Sequence, residues 1–166
     1  LRAIIPTLRT LQNSKVVIVG HQSRPGKIDF TNMEQHADRI SRLIGKKVKF
    51  ISDICGDEAI SAINDLKTGE ILFLDNIRMH DDENSMKKAS LDETAKSEIV
   101  RKLSSVIDVY VTDAFAASHR NSPSLTGFYD SVPCIAGHLM SKEIDNLQIA
   151  VNDPPRPYIA ILGGTK

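Results

Sequence analysis

Short, continuously apolar runs alternate along this chain with stretches where apolar residues recur every three or four positions. Lys15-Val-Val-Ile-Val-Gly20 lacks polar alternation, so it predicts a strand covered on both faces. A helix follows from Thr31, where Thr31 and Glu34 have capping-box spacing and Met33, Ala37, Ile40 and Ile44 share a face. Gly45 is its stop. Val48 to Ile51 is the next strand, and Asp57 to Leu66 a second helix with Ala59, Ile60, Ile63 and Leu66 inward and Gly69 as its stop.

Ile71 to Leu74 repeats the buried-strand pattern, and the polar stretch Asp81 to Lys88 predicts a solvated loop. Ser90 and Glu93 open a third helix with capping-box spacing, its inner face formed by Leu91, Ala95, Ile99, Leu103 and Val106. Asp108 to Thr112 is a strand, followed by an irregular stretch through Pro133. A last helix from about Ser141 carries Met140, Ile144, Leu147 and Val151 on one side. The run Asn152-Asp-Pro-Pro-Arg-Pro157 must break it. Tyr158 to Leu162 is a final strand. This alternation predicts right-handed βαβ units and an α/β fold: a parallel, doubly wound, Rossmann-like sheet in three αβα layers. The natural boundary is the proline-rich break near Pro154.

A length of 166 residues allows one ordinary domain, or one with the start of another. Hydrophobic residues at 41% and charged residues at 25% exclude disorder as a description of the whole chain. Lys and Arg number 21, as do Asp and Glu, which argues against a general nucleic-acid or membrane-surface binder. No apolar run reaches the length of a bilayer span. Cys55 and Cys134 are too few for a disulfide framework or a cysteine zinc site, and a reducing cytoplasm fits. The chain starts at Leu1 and stops at Lys166 directly after a strand-like run, so both ends read as cut.

In a parallel sheet the loops after the strands' carboxyl ends gather on one edge, where ligands bind. The first strand leads into His21, Gln22, Ser23 and Arg24; the strand at Leu74 leads to Asp75, Asn76, Arg78 and His80; the strand at Thr112 leads to Asp113, His119 and Arg120. Three strands thus each deliver an arginine to one edge. The planar guanidinium binds phosphate or carboxylate oxygens two at a time, so the pattern points to a small anion. The plainer alternative is that these arginines pair with Asp75, Asp113 or helix ends. His36 and His138 read as structural or surface residues, and Asp81, Asp82 and Glu83 as a solvated face. The Met140 to Val151 stripe reads as core or domain packing. Gly163-Gly-Thr-Lys166 is either a glycine turn or a nucleotide approach, because its spacing is not that of a P-loop.

Six segments in order resemble phosphoglycerate kinase: Arg2-Ala-Ile-Ile-Pro-Thr7, His21-Gln-Ser-Arg-Pro25, Gly69-Glu-Ile-Leu-Phe-Leu-Asp-Asn-Ile-Arg78, Asp113-Ala-Phe-Ala-Ala-Ser-His-Arg120, Ala136-Gly-His-Leu-Met-Ser-Lys-Glu143 and Ile161-Leu-Gly-Gly-Thr-Lys166. Gln22 and Ser23 stand where the family commonly has Leu-Gly, and Ala116 where it has Gly, which resembles the archaeal branch. The resemblance implies one lobe of a two-domain, cytoplasmic kinase moving a phosphoryl group between 1,3-bisphosphoglycerate and ADP to give 3-phosphoglycerate and ATP. It divides the chain into a triose-phosphate domain without its first strand (1–139), an interdomain helix (140–153) and the first strand of a nucleotide domain (154–166). It assigns substrate binding to His21, Gln22, Ser23, Arg24, Arg78 and Arg120. It places Gly163 and Gly164 beside the nucleotide and gives Lys166 the catalytic role of stabilising the transferring phosphoryl. Mg-ATP or Mg-ADP is held mainly by the other domain, and no residue of this chain is assigned as a metal ligand. The family's Asp-x-Asn loop and its early arginine fall before Leu1, and Arg2 is not that arginine, so the segment alone is expected to be inactive. No nucleic acid, membrane or obligatory protein partner is implied. The rivals are a non-catalytic module for a sugar phosphate or small organic anion, and a structural domain with its arginines internally paired.

Overall fold

The computed structural model describes residues 1–161 and Gly163. Strands β1 (Val16–Gly20), β2 (Val48–Phe50) and β3 (Ile71–Asn76) form a parallel sheet in the order β1-β3-β2. Val16 and Val48 both lie opposite Ile71. β3 is the centre, and all six of its residues are buried.

Because side chains alternate along a strand, β3 feeds two cores. Ile71 and Phe73 pack with Leu8 of α1 (Ile5–Thr10), with Met33, and with Ala37 and Ile40 of α2 (Glu34–Ile44). Leu72 and Leu74 face the other way, onto Ala59 and Ile63 of α3 (Asp57–Asn64) and onto Ile99, Val100 and Leu103. This is the expected three-layer αβα arrangement, with helices on both faces of a parallel sheet.

Several local expectations change. The Thr31–Glu34 capping box does not form. Instead the Met33 amide donates to Asp75 at 3.0 Å and the Thr31 carbonyl accepts from Asn76 at 2.9 Å, so the end of β3 anchors the entrance to α2. Asp81 to Lys88 is not a loop: it forms α4 (Asp81–Ser85) and a 3-10 turn at Met86–Lys88. His80 Nδ1 accepts from the Asp82 amide at 3.2 Å, and three acidic residues occupy the first turn, where the helix dipole favours them. The third helix is split into α5 (Leu91–Ala95), with the predicted Ser90–Glu93 box present, and α6 (Glu98–Leu103). The split falls at Ser97, whose extended backbone and hydroxyl, accepting from the Val100 amide at 3.3 Å, restart the helix; Leu91 is left exposed.

Beyond β4 (Tyr110–Thr112) the irregular stretch contains α7 (Pro123–Thr126), and an unforeseen strand β5 (Cys134–Ala136) pairs in parallel with β4. The Tyr110 ring stacks on Phe128 at 4.7 Å, which joins this second sheet to the Leu72–Leu74 core. Helix α8 (His138–Asn152) starts earlier than expected and stops before the proline run. Of its stripe only Met140 is buried; Ile144, Leu147 and Val151 are exposed, so the stripe is not core here. Tyr158 to Ile161 meets no neighbouring strand among the described residues and is not a strand, since a ladder requires a partner for its backbone groups.

Candidate functional site

The carboxyl ends of the parallel strands bring the predicted loops to one edge. Asn76, the last residue of β3, is fully buried and binds the loop after β1 to that edge. Its Nδ2 donates to the Gln22 carbonyl at 2.7 Å, while its Oδ1 accepts from the Gln22 amide at 3.1 Å and the Arg78 amide at 3.3 Å.

The loop itself is bent tightly. Ser23 has a left-handed backbone, φ 54°, a conformation uncommon outside glycine and typical of turns at functional sites. Its hydroxyl donates to Asp29 at 2.5 Å, its carbonyl accepts from Arg78 Nη1, and Gln22 Nε2 donates to the Asp29 carbonyl at 3.2 Å. The Gln22 and Ser23 side chains therefore shape the loop, and Arg24 at its tip is exposed.

The three arginines come together as charges. Burial lowers the Arg78 guanidinium from its ordinary range, and the like charges of Arg120 and Arg24 lower it further. Among the described residues none of the three forms an ion pair with a carboxylate. The two expected partners are engaged elsewhere. Asp75 accepts from the amides of Met33 and Asn76 and from Ser52, and Asp113 accepts from Thr7 at 2.6 Å and from the Met140 amide at 3.0 Å. Pairing with Asp75 or Asp113 is thereby excluded. Mutual repulsion of three converging cations is relieved by an anion, which is what such an edge can bind.

Glu83 is the residue the sequence did not single out. It is 3% exposed, contrary to the solvated face expected for the 81–83 run. Its Oε1 lies 2.5 Å from His21 Nε2 and accepts from the Ser124 hydroxyl at 2.7 Å, and its Oε2 accepts from the Ser124 amide at 3.0 Å. Burial alone would raise its carboxyl, but hydrogen bonds from His21 and Ser124 prevail and hold it below the ordinary carboxylate range. Nothing in a polar run marks one member as buried, and its partners lie 62 and 41 residues away.

Other expected positions are scattered. His138 contacts Thr10 at 2.7 Å, and His36 is half-buried. Gly163 lies in the exposed tail, while Gly164 and Lys166 fall outside the described residues. A surface depression beside α3, walled by Asp57, Glu58 and Asp65, holds no arginine and is separate from this edge.

A family model described as phosphoglycerate kinase matches residues 1–166. A phosphoglycerate kinase from Methanocorpusculum labreanum is 42% identical over 165 residues, covering 99% of this chain and 40% of that protein. One from Methanothermobacter thermautotrophicus is 43% identical over 162 residues, covering 96% and 39%. The crystal structure of phosphoglycerate kinase from Pyrococcus horikoshii matches with a TM-score of 0.93 at 43% identity, covering 99% of this chain and 41% of that one. The chain spans about 40% of the length of the curated relatives it matches.

Proposed function

The chain belongs to the phosphoglycerate kinase family, and from this and the arginine edge we propose that it forms the triose-phosphate lobe of such a kinase. On this reading the whole protein transfers a phosphoryl group between 1,3-bisphosphoglycerate and ADP, giving 3-phosphoglycerate and ATP. The observation that carries it is the convergence of Arg24, Arg78 and Arg120, none paired with a carboxylate among the described residues.

The chemistry asks little covalent work of these residues. Direct phosphoryl transfer depends on positioning and on neutralising oxygens. Arg24, Arg78 and Arg120 bind and orient the phosphate and carboxylate of the triose, with His21, Gln22 and Ser23 shaping the loop around it. Gly163, Gly164 and Lys166 are assigned to the nucleotide side, with Lys166 neutralising the group in transfer. Among the described residues no three His, Cys, Asp or Glu side chains gather to hold a metal ion. The magnesium of Mg-ATP or Mg-ADP is assigned, in this reading, to the other lobe, and no step here runs through it.

The domain division follows the same reading: 1–139 the triose-phosphate domain, 140–153 the interdomain helix, 154–166 the start of the nucleotide domain. Two features support it. Among the described residues β1 pairs with β3 alone and β4 with β5 alone, so each has an edge open to a further strand. The exposed apolar side of α8 suits contact with a second domain. No described helix is long and apolar enough to cross a membrane, and a cytoplasmic enzyme acting without a protein partner is the proposed setting.

Calorimetric titration with 3-phosphoglycerate beside inorganic phosphate, at two salt concentrations, tests the reading. Selective, salt-weakened binding that is lost in Arg78→Ala is expected. Equal affinity for both anions would replace the kinase reading by a general anion module.

A further inference from the structure

We infer that Glu83 is a positioning residue: its buried carboxylate sets the ring of His21 and ties together the three loops that carry the arginines. The inference rests on the reading of this edge as the triose-phosphate site, and deepens it.

Each of the three groups joined at this carboxylate belongs to a different strand's loop. Glu83 itself sits in α4, five residues after Arg78; His21 lies three residues before Arg24; Ser124 lies four residues after Arg120. The hub therefore fixes the spacing of three guanidinium groups that would otherwise repel one another apart. Asn76 ties only two of these loops.

An ionised carboxylate only accepts hydrogen bonds. Oε2 takes the Ser124 amide proton and Oε1 takes that of the Ser124 hydroxyl, so the 2.5 Å contact from His21 Nε2 must also be a donation. Glu83 thereby holds the proton on Nε2 and leaves Nδ1 of the partly exposed His21 ring as an acceptor, which can meet a ligand hydroxyl. A glutamine at 83 would place an NH2 group against a set of donors, so one bond is lost unless the His21 ring gives up its Nε2 proton.

The experiment has a ligand-free arm and a ligand arm, both on this chain. Two-bond ¹H–¹⁵N correlation spectra report the protonation of each histidine ring, with His21 assigned by its loss in His21→Gln. The wild type is expected to carry its proton on Nε2, and Glu83→Gln to lose that fixed preference. A proton confined to Nδ1, or a ring signature unchanged in Glu83→Gln, overturns the inference. In the titration, Glu83→Gln is expected to weaken 3-phosphoglycerate binding about tenfold, and Glu83→Gln with Arg24→Ala to bind no worse than the weaker single variant. Strict additivity would mean that Glu83 acts independently of the arginines, and overturns the positioning role. Should Glu83→Gln unfold, Ser124→Ala keeps the carboxylate and the Nε2 proton while loosening the Arg120 loop, and affinity must still fall. A wild-type chain that binds no phosphoglycerate overturns the functional reading, and Glu83's hold on His21 then stands or falls on the ring spectrum alone.

Discussion

Asn76 and Gln22, separated by 54 residues, exchange a pair of hydrogen bonds: the Asn76 amide donates to the Gln22 carbonyl at 2.7 Å and its oxygen accepts from the Gln22 amide at 3.1 Å. The end of β3 thus completes the backbone of the loop after β1. Asn76→Ala leaves the Gln22 groups and the Thr31 carbonyl without this partner, at a cost of about 1–3 kcal/mol for each buried group left unmade. Urea unfolding should show a clear loss of stability, and phosphoglycerate affinity should fall with it. A variant with wild-type values of both would show that the loop holds its shape without this contact.

Arg78→Ala should separate binding from stability. The side chain makes a charge-assisted contact worth about 1.5–3 kcal/mol to an anion, so affinity should drop roughly tenfold to a hundredfold. Fold stability should change little, because removing one of three mutually repelling cations offsets the lost hydrogen bond to the Ser23 carbonyl. Arg24→Ala and Arg120→Ala should likewise raise the Michaelis constant for the triose phosphate in the complete enzyme, well before they affect folding. Unchanged constants in both would remove these residues from the substrate site.

Acid should reveal the Glu83 hub. Burial opposes its charge, yet the bonds from His21 and Ser124 hold its carboxyl below the ordinary value of 4.5. The folded state therefore binds fewer protons at this site than the unfolded chain as the pH falls. The stability so conferred is complete above about 4.5 and is lost as the pH drops through the lower, folded value. Asp53, held low by the amides of Ala59, Gly56 and Ile54 against the effect of burial, acts with the same sign. Urea midpoints measured from about pH 5 to about pH 3 should fall in the wild type and fall less steeply in Glu83→Gln. Parallel curves would mean that the carboxylate does not depend on its partners.

The two cysteines should react at very different rates. Cys55 is buried in the Leu72–Leu74 core and its thiol is pushed up to about 11, chiefly by burial, whereas Cys134 on β5 is exposed. A disulfide reagent at mild alkaline pH should label Cys134 promptly and Cys55 only on unfolding, since the thiolate is the attacking form. Prompt labelling of two thiols in the native protein would contradict the burial of Cys55.

The parts legible from the sequence were those that depend on near neighbours. Apolar runs marked β1, β2 and β3, helical periodicity marked α2 and α3, and strand ends located Arg24, Arg78 and Arg120 on one edge, because a parallel sheet places its loops there whatever the details. Ser90 and Glu93 formed their capping box as spaced, since both partners lie within one turn. Thr31 and Glu34 have the same spacing and did not, because Asp75 and Asn76 reached the entrance of α2 first. Glu83 shows the same limit at the site. A carboxylate in a polar run is ordinarily hydrated, and only when the chain brings His21 and Ser124 to it do three hydrogen bonds offset its desolvation. Residue types and local spacing determined which groups reach the edge; contacts made across the chain, invisible to any local pattern, decided which of them are buried, charged and held in place.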